Sequence, residues 1–160
     1  MCRIKGLEEF VCYDEFWLEK DMENMGYMFE FCDQYCQDLY GVWIDKIKFL
    51  DAFMHSDMRV LMEIGHPRFV SQAAKSTLEI YVDEDFKSDL SAFAVPEQKR
   101  YPEAQFYWVG WAYAYIHFQS KLSSEHIINK LPLVDMLFKY YPGGHSMGID
   151  HFYNNIKGLL

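Results

Sequence analysis

The sequence predicts an all-α protein, a compact bundle of six to eight helices around an aromatic-rich central helix. Three observations carry this. Apolar residues recur at three- and four-residue spacing along most of the chain. No period-2 run of four or more residues bounded by hairpin turns occurs. From Phe106 to Phe118 every residue except Gly110 and His117 is Val, Ala, Ile or aromatic. Such a segment is apolar all round and too short for a membrane span, so it belongs inside a bundle.

The length of 160 residues fits one domain, 1–160. Hydrophobic residues make up 51% and charged residues 24%, a globular balance. Aromatics reach 18%, enough large apolar surface for a core at roughly 1.5–3 kcal/mol per fully buried large side chain.

The first element is a long helix from Asp14 to Leu39. It holds no proline, one interior glycine (Gly26), and Gly41 just beyond its end. At about 100° per residue, Leu18, Met22, Met25, Phe29, Cys32, Cys36 and Leu39 share one face. Ile44, Ile47, Leu50 and Met54 predict a second helix. His55-Ser56-Asp57 caps a third through Met58, Leu61 and Met62, stopped by Gly65 and Pro67. Ser71 to Val82 forms a fourth on Ala74, Leu78 and Tyr81 or Val82. Asp83 to Glu97 carries charge, serine and Pro96, and reads as a flexible loop with at most one helical turn.

The aromatic helix opens at Tyr101-Pro102-Glu103, with Pro at the first helical position and an acid in the first turn. Gly110, Ala112 and Ala114 let neighbours approach it closely. Ser123 or Ser124 caps a short helix through Ile127, Ile128 and Leu131. Pro132 starts another holding Leu133, Leu137 and Tyr140. A turn is expected at Pro142-Gly143-Gly144, and a last helix from Ser146 to Gly158.

Charge is unevenly placed. The chain carries a formal −9, and residues 1–40 hold ten acids against three bases. This argues against direct nucleic-acid binding, which needs a basic surface. On the first helix Glu15, Glu19, Glu23, Glu30 and Asp33 fall on a strip spanning roughly 80° beside the apolar face. Such a strip is either a solvated face or a contact surface for a basic protein partner, one that itself binds nucleic acid. No run approaches the roughly 20 apolar residues of a membrane span. Met1 to Gly6 has no secretory character, so a cytoplasmic location is expected.

No catalytic signature accompanies this. Cys32 and Cys36, one turn apart on the apolar face, read as small hydrophobes, and no second pair completes a zinc site. The six histidines form no His-x-x-x-His pair. His117 reads as a hydrogen-bonded core residue, and His145 as a helix-entry contact or, in the alternative, a general base. Gly143-Gly144-His145-Ser146 could hold an anion only weakly. No nucleophile elbow, Walker loop or dinucleotide fingerprint occurs. No catalytic residue, metal or cofactor is expected.

The run Phe106-Tyr107-Trp108-Val109-Gly110-Trp111-Ala112-Tyr113-Ala114-Tyr115, followed by Ser123-Ser124-Glu125-His126-Ile127-Ile128 and by Tyr140-Tyr141-Pro142 to His145, resembles a group of small uncharacterised bacterial helical proteins encoded beside toxin-like genes. The likeness covers roughly residues 100–156. The chain departs from the group at Gly143-Gly144, where a single residue is usual before the histidine. The resemblance implies an accessory or antitoxin-like role. The expected function is therefore a non-catalytic acidic binding protein that inhibits or neutralises a larger partner, a toxin or a nucleic-acid-targeting enzyme. The alternative is a small enzyme or small-molecule binder, with an aromatic pocket and His117 or His145 as its base. A homodimer covering part of the aromatic surplus is a third expectation.

Overall fold

A computed structural model of the chain describes residues 12–97, 101 and 105–160. Among the described residues the protein is all-α, with eight helices and no strand. The start signals at Pro102 and Glu103 lie outside the described residues.

Asp14 accepts the Phe16 N–H at 3.0 Å at the head of a 3-10 turn, Glu15–Trp17. Helix α1, Leu18–Tyr40, follows. It stops where Gly41 takes φ +68° and donates to the Gln37 carbonyl at 3.0 Å, the left-handed closure that favours glycine. Helices α2 (Lys46–Met54), α3 (Asp57–Glu63) and α6 (Ser124–Lys130) each start on a side-chain cap. Asp45, Ser56 and Ser123 accept from Lys48, Arg59 and His126 backbone N–H groups, each cap typically worth about 1 kcal/mol. Ile44 precedes α2 and is not part of it.

Helix α4, Ala74–Tyr81, runs into a wider π-helical turn at Val82–Phe86. The expected flexible loop over 83–97 is instead anchored. Val82, Leu90 and Phe93 are buried, Phe93 belongs to a 3-10 turn, Ser91–Phe93, and Ile44 bridges Ala94. Asp45 N–H donates to the Phe93 carbonyl at 2.7 Å, and Val95 N–H to the Trp43 carbonyl at 2.8 Å. The cause lies in apolar residues at 82, 86, 90 and 93, which recur at helical spacing through the charge. Phe86, Phe93, Phe49 and Tyr81 then pack edge to face with centroids 5.1–5.6 Å apart, the arrangement ring quadrupoles prefer.

Helix α5, Gln105–Ser120, lies along α1 and also meets α6, α7 (residues 133–144, with a wider π-helical stretch at Met136–Tyr140) and α8 (Ile149–Ile156). The α1–α5 crossing is made by glycines. A Cβ on Gly110 would collide with the Met25 carbonyl oxygen and lie 2.7 Å from Phe29 Cγ. Close approach here is paid in side-chain volume, so the two backbones touch.

The expected turn at Pro142-Gly143-Gly144 is not one. These residues are helical, in Tyr141–Gly144 at the end of α7, and the chain turns over 145–148. A Cβ on Gly144 would stand 2.9 Å from both Phe152 and Trp108, so this glycine serves helix packing. The glycines therefore end a helix and offer no N-terminal N–H groups to an anion.

His55 ends α2 and ties it to α6. Its Nδ1 lies 2.8 Å from the Asp51 carbonyl, and its Nε2 3.1 Å from Asn129 Oδ1. Both neighbours are acceptors, so only the doubly protonated ring satisfies both. Burial presses its pKa down. The Asp51 and Asn129 bonds, with the Asp51 and Glu125 charges, outweigh that and raise it above the ordinary 6.5. A raised folded-state pKa gives stabilisation that is complete below the ordinary value and fades as pH rises through the raised one. Urea titrations across about pH 6–8 should show stability falling with pH, and His55→Ala should flatten that slope. An unchanged slope in the variant would contradict the assignment.

Candidate functional site

Helix α1 has two faces with different chemistry. Met22, Met25, Phe29, Cys32 and Cys36 are buried in the core, as their spacing predicts. Burial pushes the Cys36 thiol up to about 12 and raises that of Cys32 as well, so both are packing groups. Leu39, expected on that face, is exposed.

The acidic strip divides. Glu15, Glu19 and Glu23 are exposed, and Glu30 is half-buried. Asp33 is a correction. It is buried, 3.7 Å from Lys46 Nζ, and does not belong to an exposed contact strip. Lys46 also donates to the Glu30 carbonyl and sits 4.1 Å over the Phe106 ring. Asp33 lies only about 20° from Met22 on the wheel, which is why it turns inward with a cation brought by α2.

Beside the exposed acids stands a row of rings that periodicity did not single out. Tyr27 and Phe31 are exposed, and Tyr35 and Tyr107 half-buried. Tyr27 stacks near Phe31 at 6.2 Å, Phe31 meets Tyr35 at 6.0 Å, and Tyr107 of α5 closes edge-on against Tyr27 at 5.1 Å. The Tyr107 hydroxyl is raised in pKa by partial burial and by the nearby Tyr27, Glu23 and Glu30. Rings and carboxylates thus share one surface.

A second constellation lies beneath the start of α1, among the described residues of α1, α3, α5 and α6. Arg59 is fully buried and grips Asp21 with both terminal nitrogens, at 2.7 and 3.0 Å. Its Nε reaches Glu63 Oε1 and Ser124 Oγ, each at 3.2 Å. Ser124 N–H donates to Glu63 Oε1 at 2.9 Å, and Tyr13 O–H to Asp21 Oδ2 at 2.7 Å. Burial presses the Asp21 carboxyl upward, but the charge and hydrogen bonds of Arg59 outweigh it and hold the carboxyl below the usual carboxylate range.

His117 is buried beside this cluster. Its Nδ1 is 2.8 Å from the Leu122 carbonyl and must carry the proton there, and Nε2 faces Cys12 Sγ at 3.3 Å. Glu63 Oε1 is 3.8 Å from the same Nδ1. The pairing resembles a nucleophile and base, but burial pushes the Cys12 thiol up to about 11, so the sulfur is protonated at neutral pH and the thiolate needed for attack is scarce. His145 lies elsewhere, exposed, stacked on Tyr141 at 4.3 Å with Nδ1 2.6 Å from the Tyr141 carbonyl. The two histidines that sequence singled out are therefore not brought into one site.

Asp21, Arg59 and Glu63 were missed as a group by sequence reasoning. Asp21 carried a readable signal: on the wheel it falls within the apolar arc, about 40° from Met25, where an acid needs a buried partner. Among the described residues no three His, Cys, Asp or Glu side chains come together to hold a metal, and no helix is long and apolar enough to cross a membrane. No protein-family model, curated protein or solved structure matches the chain.

Proposed function

We propose that this protein is a non-catalytic acidic binding protein, antitoxin-like in character, that occupies a basic site on a larger protein and so inhibits or neutralises it. The observation that carries this reading is the outer face of α1, where the exposed Glu19 and Glu23, preceded by Glu15 in the 3-10 turn that leads into the helix, lie on the same side as the ring row Tyr27, Phe31 and Tyr35. Carboxylates attract and orient a basic surface. Rings beside them supply apolar contact and take a guanidinium face-on. Tyrosine and phenylalanine are enriched at protein interfaces, while acids alone more often remain solvated.

The buried polar groups support the same reading. The charges of Asp21, Arg59 and Glu63 are turned on one another inside the protein, away from any substrate. A small enzyme using His117 draws on the 3.3 Å Cys12–His117 contact, but a ring with one nitrogen committed to a backbone carbonyl and no exposed surface is badly placed to exchange protons with a ligand.

The test is affinity capture from a native lysate with and without nuclease, followed by association kinetics with the captured protein. A stoichiometric, nuclease-insensitive partner is expected. Glu19→Lys, Glu23→Lys and Glu30→Lys together should slow association by about tenfold or more and flatten its salt dependence. Absence of a protein partner, or association that ignores the charge reversal, refutes the proposal.

A further inference from the structure

On helix α7 a protruding ring and an open groove lie one turn apart. Phe138 is 53% exposed and Val134 48% exposed, though both are large apolar side chains on a helix whose inner residues Leu133, Met136 and Leu137 are buried. Val134 also borders a groove of about 380 Å³ between α2 and the start of α7, lined among others by Ile47, Lys48, Asp51, Pro132 and Leu133. Asp135 and Lys139 flank the apolar pair on the exposed side of the same helix.

From this juxtaposition we infer that α7 is the contact between two copies of this chain, each placing Phe138 at the mouth of the other's groove. A two-fold contact requires one patch that is complementary to itself, and this face carries both the knob and the hollow. A two-fold axis crossing α7 between Val134 and Phe138 sets Phe138 of each copy against Val134 of the other. It also lays Lys139 of each copy beside Asp135 of the other, so the charges pair as well as the shapes. The outer face of α1 is unsuited to this role, because its carboxylates would meet their own likeness across the axis. The contact uses α7 alone, so it stands or falls independently of what α1 binds.

Sedimentation velocity on the full chain provides the test. At about 100 μM, above the micromolar Kd that a small interface sustains, the wild type should sediment with twice the monomer mass. Phe138→Glu should be monomeric at the same concentration with an unchanged circular dichroism spectrum, since the side chain lies outside the core. Asp135→Lys and Lys139→Asp should each weaken the dimer, and the double exchange should restore it. A monomeric wild type, a Phe138→Glu variant that still dimerises, or a double exchange that fails to recover would overturn the inference.

Discussion

Arg59→Met is expected to destabilise the protein by about 3–5 kcal/mol, because it leaves two buried carboxylates without their cation. Asp21 would lose a two-pronged ion pair at 2.7 and 3.0 Å, and Glu63 a contact at 3.2 Å. Equilibrium urea denaturation measures the loss directly. The pH dependence gives a second reading. In the wild type the folded-state pKa of Asp21 lies below the ordinary 3.8. Its stabilisation is therefore fully present above that value and disappears as pH falls through the lowered one. In the variant Asp21 is buried and unpaired, its pKa rises, and stability should increase on acidification through the carboxylate range. Replacing the whole group, as Asp21→Leu, Arg59→Met and Glu63→Leu, should recover part of the loss, since the buried charges are removed together, while Tyr13 O–H and Ser124 N–H are left without their acceptors. If the single variant loses less than about 1 kcal/mol, the geometry of the cluster is not that of the protein in solution.

Gly110→Ala should also be costly, by about 2 kcal/mol or more, although alanine ordinarily favours a helix over glycine by about 0.5–1 kcal/mol. The sign reverses because the new methyl would strike the Met25 carbonyl oxygen and crowd Phe29. Backbone atoms of a packed helix cannot step aside as a side chain can. Gly143→Ala is the control. It too lies in a helical turn, but nothing stands within 4 Å of its Cβ position, so that change should be neutral or slightly stabilising. Thermal melts of the two variants decide the matter, and equal melting temperatures would contradict the α1–α5 crossing.

The helices were legible where one physical signal governed them. Gly41 closes α1, Ser56 caps α3 and Ser123 caps α6, each through a local hydrogen bond that needs no tertiary partner. Asp33 and the segment over 83–97 show where local reading ends. Asp33 looks like its exposed neighbours until α2 brings Lys46 beneath it. Charges at Asp83, Glu84 and Asp85 disguised an apolar series that only the core at Phe49 and Tyr81 makes meaningful. The exposure of Glu19 and Glu23 followed from the wheel, whereas Glu15, exposed as well, sits in a 3-10 turn ahead of α1 and not on the helix expected to start at Asp14. The rings beside these acids did not follow, because aromatic residues are assigned to the core by default and their exposure depends on which helix faces are left uncovered.

The buried guanidinium of Arg59 has one more effect, on how the chain is held in time. It joins residues 38 and 65 positions away in sequence, and Tyr13 fastens the approach to α1 through its backbone bond to the Glu63 carbonyl at 2.9 Å. No pair of these segments satisfies all of these groups without the others. A half-assembled chain with α3 against α6 leaves the terminal nitrogens of Arg59 without the Asp21 carboxylate, and one with α1 against α5 leaves Asp21 without its cation. Partial structures are thereby penalised in proportion to how dry they are, and the ends of four helices are gained or released as a single event. The cluster acts as a latch that makes an assembly of short helices cooperative, although few of them are long enough to persist alone.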